Sequence, residues 1–468
     1  MKFIKFTKEI LDGQHLSILR EIGRQMGVKA PAGVKNKEQL IEKILKIQDG
    51  QEQPSIQSKR GAKVKLNPII PKELIDFDDS YLSLNDDKFI DKAILSDSLV
   101  GVTGILEILK DGYGFLRVTN FENSSQDAHV STSVIKKYNL RRGDLVKGVA
   151  IPKQDTAPDL CKVEEINGRL VEDILSRRNF DTLKPYYPTK RICLSSAKNN
   201  DLSVRSIDLF APLGFGQRGL IVAPPKTGKT TLLKKIAKAI ETNHPTAKLI
   251  VLLIDERPEE VTDIEREILS SVVYSTFDQS PEHHVKVAEL VISHAKRLVE
   301  GGGDVVILLD SITRLARAYN SVTEPSGKTL SGGIDPSALQ GPKKFFGSAR
   351  SIDEGGSLTI LATALVDTES RMDEVIFEEF KGTGNMEIHL SKELSEKRIF
   401  PAIDLYKSGT RKEELLLTEE ELTCSNNVRK FLASREDATD LLLDMLKKTE
   451  DNQEFTKKSQ VWLNLMNK

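Results

Sequence analysis

The stretch that most constrains this chain is residues 223–231, Ala-Pro-Pro-Lys-Thr-Gly-Lys-Thr-Thr, set directly after the apolar run Leu220, Ile221 and Val222. A loop that grips phosphate needs inward backbone N–H groups, a cation for the terminal phosphates and a hydroxyl for Mg²⁺. Gly228, Lys229 and Thr230 supply that chemistry. Leu232, Leu233, Ile236, Ala237 and Ile240 then recur at helical spacing. The loop therefore joins a buried strand to a helix whose N-terminus faces the phosphates. One departure is that Ala223, followed by two prolines, stands where the usual pattern has its first glycine.

A chain committed to such a loop needs parallel strands covered on both faces, which read as near-continuous apolar runs. Residues 248–254, 304–309 and 358–366 are three of them. The second ends in Asp310, at the strand end where open α/β sheets bind ligands. There a carboxylate can complete a Mg²⁺ shell beside Thr230. The first ends in Asp255-Glu256-Arg257-Pro258-Glu259-Glu260. One of these acids can orient or deprotonate the water that attacks a γ-phosphate. Glu256 is the choice, although the residues alone do not separate it from Asp255 or Glu259, and helix N-termini are enriched in acids anyway. Arg411 follows the turn Ser408-Gly409-Thr410 and is either a solvated side chain or an arginine finger.

Upstream the pattern changes. Residues 98–167 carry about five short strands with turn signals, the mark of a small barrel of the oligonucleotide-binding kind. Tyr113 and Phe115 lie two apart on one predicted strand with Arg117 continuing the row. Two rings and a cation in line make a stacking surface for single-stranded bases, although paired core aromatics have the same spacing. Gly112 and Gly114 on either side of Tyr113 allow close backbone approach. Residues 1–48 read as a helical unit with two amphipathic helices, 49–97 as an acidic and polar linker, 168–200 as a connector and 201–468 as the nucleotide domain.

With 68 Lys and Arg against 69 Asp and Glu, any nucleic-acid site must come from local clustering. Residues 1–65 hold 14 basic against 7 acidic side chains, a net of +7 that suits either a phosphate backbone or a solvated face. Cys161, Cys193 and Cys424 match neither a metal-ligand spacing nor a disulfide framework. No apolar leader or membrane-length run occurs, so a cytoplasmic protein without a membrane partner is expected.

On these residues the chain resembles the Rho family of bacterial transcription termination factors, hexameric ATP-dependent RNA translocases and helicases. The stretches that carry the resemblance are 219–226, 252–261, 308–320, 381–385 and 397–404, and the family's own loop has Ala-Pro-Pro-Lys at 223–226. The resemblance implies a RecA-like P-loop ATPase domain preceded by an OB-fold, cold-shock-like barrel and an N-terminal helical unit. It implies an ATP site in two stretches, the first being Gly214, Phe215, Gly216, Gln217, Arg218 and Gly219. The second is Lys226, Thr227, Gly228, Lys229, Thr230 and Thr231, joined by Arg257 as nucleotide sensor and Phe400 stacking on adenine. Catalysis would fall to Glu256, Lys229, Arg257 and Arg411, the last given to a neighbouring subunit, with Mg²⁺ on Thr230 and Asp310. A primary RNA site would use Gly112, Tyr113, Gly114, Phe115, Leu116 and Arg117 together with Asp127, Ala128 and His129. A secondary site would use Lys328 and Arg371.

Two departures from the family are visible. Arg371 stands where lysine is usual, and Ala157-Pro158-Asp159 offers no counterpart to the barrel's last aromatic contact, which leaves base preference open. The implied partners are nascent single-stranded RNA, RNA polymerase, further copies in a homohexamer and elongation factors. Competing readings are a passive RNA-binding or antitermination protein, and a rotary ATP synthase subunit or DNA recombinase. The set Lys229, Thr230, Glu256, Asp310 and Arg411 speaks against the first, and the Tyr113/Phe115 pair against the second.

Overall fold

The computed structural model describes residues 11, 19, 20, 23, 28, 37–48, 99–153, 156–174, 177–196, 199–353, 355–434 and 438–466. The chain divides into two units, Met1–Asp97 and Ser98–Lys468. In the first, the helix Lys37–Gln48 turns Leu40, Ile41 and Ile44 into a small apolar cluster with Leu11, Leu19 and Val28. Glu38 in its first turn and Lys46 in its last suit the helix dipole. The linker expected over 49–97, and most of the helix expected around Leu16 to Met26, lie outside the described residues.

The second unit opens with a five-stranded closed barrel: β1 Val100–Ile108, β2 Gly114–Arg117, β3 Ala128–Val130, β4 Leu145–Ile151 and β5 Asp159–Ile166. The order β3-β2-β1-β4-β5 is closed by a parallel pairing of His129 with Asp159. Leu106, Leu116, Ala128, Val130, Val146, Leu160, Val163 and Ile166 fill it. Their alternation with outward residues is the period of two that a one-face-buried strand requires.

The barrel is docked on the helix Pro281–Glu300. Gly143 sits at φ +91°, and a Cβ there would come within 2.4 Å of the Ser293 carbonyl carbon, so only glycine permits this approach. His294 Nδ1 lies 2.8 Å from the Gly143 carbonyl oxygen. Asn120 bonds both ways to the Tyr274 backbone, at 2.9 Å each. The stretch expected as a plain connector carries an anchor of its own. Phe180 is fully buried against the sheet, and its amide donates to Glu300 Oε1 at 2.8 Å.

The large sheet runs, in spatial order, Ser271–Thr276, Lys248–Glu256, Asp304–Asp310, Ser357–Leu365, Arg218–Ala223, Met386–Leu390 and Ile403–Thr410. The first six are mutually parallel and the last is antiparallel. Two apolar clusters cover its faces, which is why the central strands read as unbroken apolar runs. Because the strands are parallel, Ala223, Glu256, Asp310 and Leu365 all reach the same edge.

Candidate active site and nucleic-acid interface

Gly228, at φ +86°, opens the helix Lys229–Asn243, whose buried face is Leu232, Leu233, Ile236, Ala237 and Ile240. A left-handed residue at that point turns the chain so that the first helical amides face the loop's interior, the geometry that binds phosphate. The Thr227 hydroxyl donates to the Pro224 carbonyl at 2.8 Å and closes the loop. Lys226 and Thr231 are exposed. The Lys226 carbonyl accepts from Ser395 Oγ at 3.0 Å, which ties the segment bearing the half-exposed Phe400 to the loop.

Behind the loop lies a buried charged cluster. Lys229 Nζ donates to Asp310 Oδ1 at 2.7 Å and stands 3.5 Å from Glu256 Oε2. Asp310 Oδ1 also accepts from the Thr363 hydroxyl at 2.7 Å. Burial alone would depress the Lys229 ammonium, but the Asp310 and Glu256 carboxylates outweigh it and hold its pKa up. Burial pushes the Glu256 carboxyl up, against the opposing pull of Lys229. Among the three acids the residues left open, Glu256 is the one beside Lys229. Asp255 turns to Arg314 at 3.2 Å, and Glu259 is exposed. Arg257 is exposed at the N-cap of the helix Pro258–Glu267.

Glu256 Oε2 and Asp310 Oδ2 are buried yet accept no hydrogen bond from any protein group. Orphaned carboxylate oxygens are costly unless something else fills their valence. Together with the Thr230 hydroxyl, which donates to Glu260 Oε2 at 3.1 Å, they fit a hydrated Mg²⁺ and a water beside a nucleotide. Sequence reasoning missed Thr363 and Arg314 as parts of this site and offered Glu260 only within the acidic run 255–260, without its bond to Thr230. Thr363 left a signal as a hydroxyl inside an apolar strand.

Two groups that the resemblance assigns to nucleotide, Arg411 to that of a neighbouring subunit, lie away from this chain's own phosphate loop. Gly219 pairs with Met386, and Met386 with Thr410, so Arg411 and the stretch Gly214 to Gly219 sit at the opposite end of the sheet. Gly219 is four residues, roughly 13 Å, from Ala223. Gly214, Phe215, Gly216, Gln217, Arg218 and Gly219, which the resemblance assigns to ATP binding, therefore do not line this chain's own phosphate loop. Phe215 is buried, and Gly216 packs against the backbone of Arg350 and Ser351. Arg411 is exposed.

On the barrel, Tyr113 and Phe115 are half-buried, with ring centroids 6.0 Å apart. The β2–β3 register places His129 opposite Phe115 and adds a third ring, 5.5 Å from Tyr113 and 5.6 Å from Phe115. Asp159 braces that ring from 2.9 Å, in the segment that lacks the family's aromatic. Arg117 does not continue the exposed row. It is buried, bonded to Glu107 and Asp127 at 2.5 Å each, with its guanidinium 5.1 Å from the Phe115 centroid. Lys286 of the docked helix reaches the same Glu107 at 3.2 Å. Leu116 and Ala128 are barrel core, so their side chains are withdrawn from the surface. Gly114 is small because a Cβ would lie 2.5 Å from the Glu107 carbonyl oxygen on β1, a reason internal to the barrel. Gly112 sits at φ +86°, and a Cβ there would meet only the Thr132 side chain, in ordinary contact at 3.8 Å.

Lys328 is exposed on a loop and Arg371 is exposed in the first turn of the helix Arg371–Lys381, and the two segments pack together. The turn at Gly332 lies so close to Arg371 and Met372 that a Cβ would approach the Met372 amide to 2.6 Å. Arg317 bonds Asp373 at 2.7 Å and helps fix that first helical turn.

Family models match both halves of this architecture. Residues 102–172 match the Rho termination factor RNA-binding domain, and residues 203–410 match the nucleotide-binding domain of the ATP synthase alpha/beta family. The barrel is an RNA-binding domain and the sheet is an ATPase-type nucleotide-binding domain. The chain is 57% identical to the transcription termination factor Rho of Bacillus subtilis over 77% of its length and 84% of that protein. It is 48% identical to the Aquifex aeolicus Rho over 97% of its length and 95% of that protein. The Thermotoga maritima Rho is 56% identical over 76% of this chain and 84% of its own. A solved ATPase from the type III secretion system of pathogenic bacteria is 25% identical, with a TM-score of 0.49, and covers 67% of this chain and 87% of its own. With barrel, phosphate loop and near full-length similarity in agreement, the chain belongs to the Rho family of transcription termination factors.

Proposed function

We propose that this protein is an RNA-dependent ATPase motor that binds nascent single-stranded RNA, translocates along it and dissociates RNA polymerase, working as a homohexamer in the cytoplasm with elongation factors as further partners. The observation that carries the reading is the docking of the three-ring barrel on the helix Pro281–Glu300, which leads directly into the strand ending in Asp310. The RNA surface and the hydrolytic site thus share one structural element.

In this reading Lys226 and Lys229 bind phosphate oxygens, and Thr230 and Asp310 would hold a Mg²⁺, which would supply positive charge against the developing phosphate charge. Glu256 orients a water and accepts its proton as the water oxygen bonds the γ-phosphorus and the bond to the bridging oxygen breaks, leaving ADP and phosphate. Burial keeps that carboxylate a stronger base than an exposed one. Phe400 stacks on adenine and Arg257 senses the nucleotide. Arg411, a sheet's length from its own loop, serves the loop of the next copy, so a ring completes each site. Tyr113, Phe115 and His129 stack bases, while Lys328 and Arg371 grip RNA at a second site.

Steady-state ATP hydrolysis with and without a cytidine-rich single-stranded RNA, and with DNA of the same sequence, tests the reading. Stimulation by RNA alone supports it. Hydrolysis indifferent to RNA would remove the coupling between barrel and sheet. Unwinding of RNA–DNA duplexes that carry a single-stranded RNA loading region on the 5′ or on the 3′ side then tests translocation and reads its direction.

A further inference from the structure

Arg411 has an exposed side chain, yet its backbone is held tightly on both sides. Its amide donates to the Asn385 carbonyl at 2.8 Å. On the other side, Lys412 Nζ lies 3.8 Å from the Tyr187 ring centroid, and Glu413 is clamped by Arg429 at 2.7 and 2.9 Å. Among the described residues no hydrogen bond or ion pair engages the Arg411 guanidinium itself.

Asn385 is the node of this arrangement. It is buried, and its Oδ1 accepts from Gln217 Nε2 at 2.7 Å and from the Arg218 amide at 2.9 Å. Its own amide donates to the Arg218 carbonyl at 2.9 Å, and Gln217 Nε2 also reaches its carbonyl at 3.2 Å. Gln217 makes these bonds while its Oε1 is left buried and unpaired. Buried acceptors left without a partner are uncommon in native cores. Burial first, then the Arg350 and Arg411 guanidiniums, hold the Arg218 pKa down, which places these cations within electrostatic reach of one another.

We propose that Gln217 and Asn385 are positioning residues: the buried amide pair fixes the backbone from which Arg411 is presented to a neighbouring copy's nucleotide. The proposal rests on the reading of Arg411 as a residue donated across a subunit interface. It gives the segment Gly214 to Gly219 a part in hydrolysis that does not require contact with the nucleotide of its own chain. A misplacement of about 1 Å in such a group costs turnover on the order of 10²-fold without changing what the phosphate loop binds.

The experiment is RNA-stimulated turnover and ATP affinity of the full chain as Arg411→Ala, Asn385→Leu, Asn385→Asp, Gln217→Leu and the double variant Arg411→Ala/Asn385→Leu. Asn385→Leu is expected to lower kcat about 10²-fold, with ATP Kd within about twofold, because the loop is a strand away. Asn385→Asp keeps the accepting oxygen and restores most of the loss. The double variant turns over no more slowly than Arg411→Ala alone, the non-additivity of two residues acting through one group. Should Asn385→Leu not fold, Gln217→Leu removes both amide contacts while sparing the Arg411 to Asn385 bond. An unchanged kcat, a parallel loss of ATP affinity, or a full further loss in the double variant overturns the positioning role. Wild-type turnover by Arg411→Ala overturns instead the reading beneath it.

Discussion

Two buried charged clusters of the same composition, one cation between two carboxylates, sit in this molecule and behave oppositely. In the barrel, Arg117 lies between Glu107 and Asp127 with none of their buried polar atoms left without a hydrogen bond. Behind the phosphate loop, Lys229 lies between Glu256 and Asp310, and each carboxylate keeps one buried oxygen that accepts no hydrogen bond. Guanidinium has five donors in a rigid fork and can saturate two carboxylates, whereas ammonium is a compact point charge with three. A saturated cluster fixes architecture, here the floor beneath the Phe115 ring. An unsaturated one holds capacity for a substrate, a water and a metal ion.

The sharpest way to break that contrast is to remove a reactive oxygen. Glu256→Gln should lower RNA-stimulated kcat by about 10²–10⁴-fold with ATP affinity retained, as the loss of a general base does. Normal turnover by that variant would mean the open valence is incidental. In the barrel the equivalent change should appear as stability. Arg117→Met strands two buried carboxylates and should cost about 3–5 kcal/mol of barrel stability in denaturant melts, eased by Lys286 on the shared Glu107. An unshifted melt combined with weakened RNA binding would move Arg117 from the floor to the binding surface.

Phe115→Ala, above that floor, should weaken single-stranded RNA binding by about 1–3 kcal/mol, the worth of a stacked base, while RNA-free ATP hydrolysis is unaltered. Unchanged RNA affinity would make the three rings barrel packing. The smallest effect expected is on the pH profile. Because burial raises the Glu256 pKa in the fold, its carboxylate protonates sooner as pH falls, so the acid limb of kcat lies above the ordinary glutamate value of about 4.3. A limb at or below that value would mean that the pull of Lys229 outweighs burial.

Much of this was legible without coordinates because it is written locally. The phosphate loop is a contiguous run recognisable by residue type and spacing, and apolar strands declare themselves when both faces are covered. Asp310 and Glu256 end such strands, and parallel strands bring their ends to one edge. Tyr113 and Phe115 were visible as a two-residue period. His129 came from the family resemblance, and its place opposite Phe115 is a matter of β2–β3 register.

Chemistry that sits within a few residues of a recognisable element was thus readable from residue order alone. Which charges face each other, and which end of the sheet each group occupies, followed only once the strands were paired. Arg117 looks like a surface cation until β1 brings Glu107 to it. The run from Gly214 to Gly219 precedes the phosphate loop in sequence by a few residues, yet a strand separates them. A strand advances about 3.3 Å per residue, so sequence neighbours at its two ends are distant in space, while Gln217, Asn385 and Arg411, far apart along the chain, meet at one point.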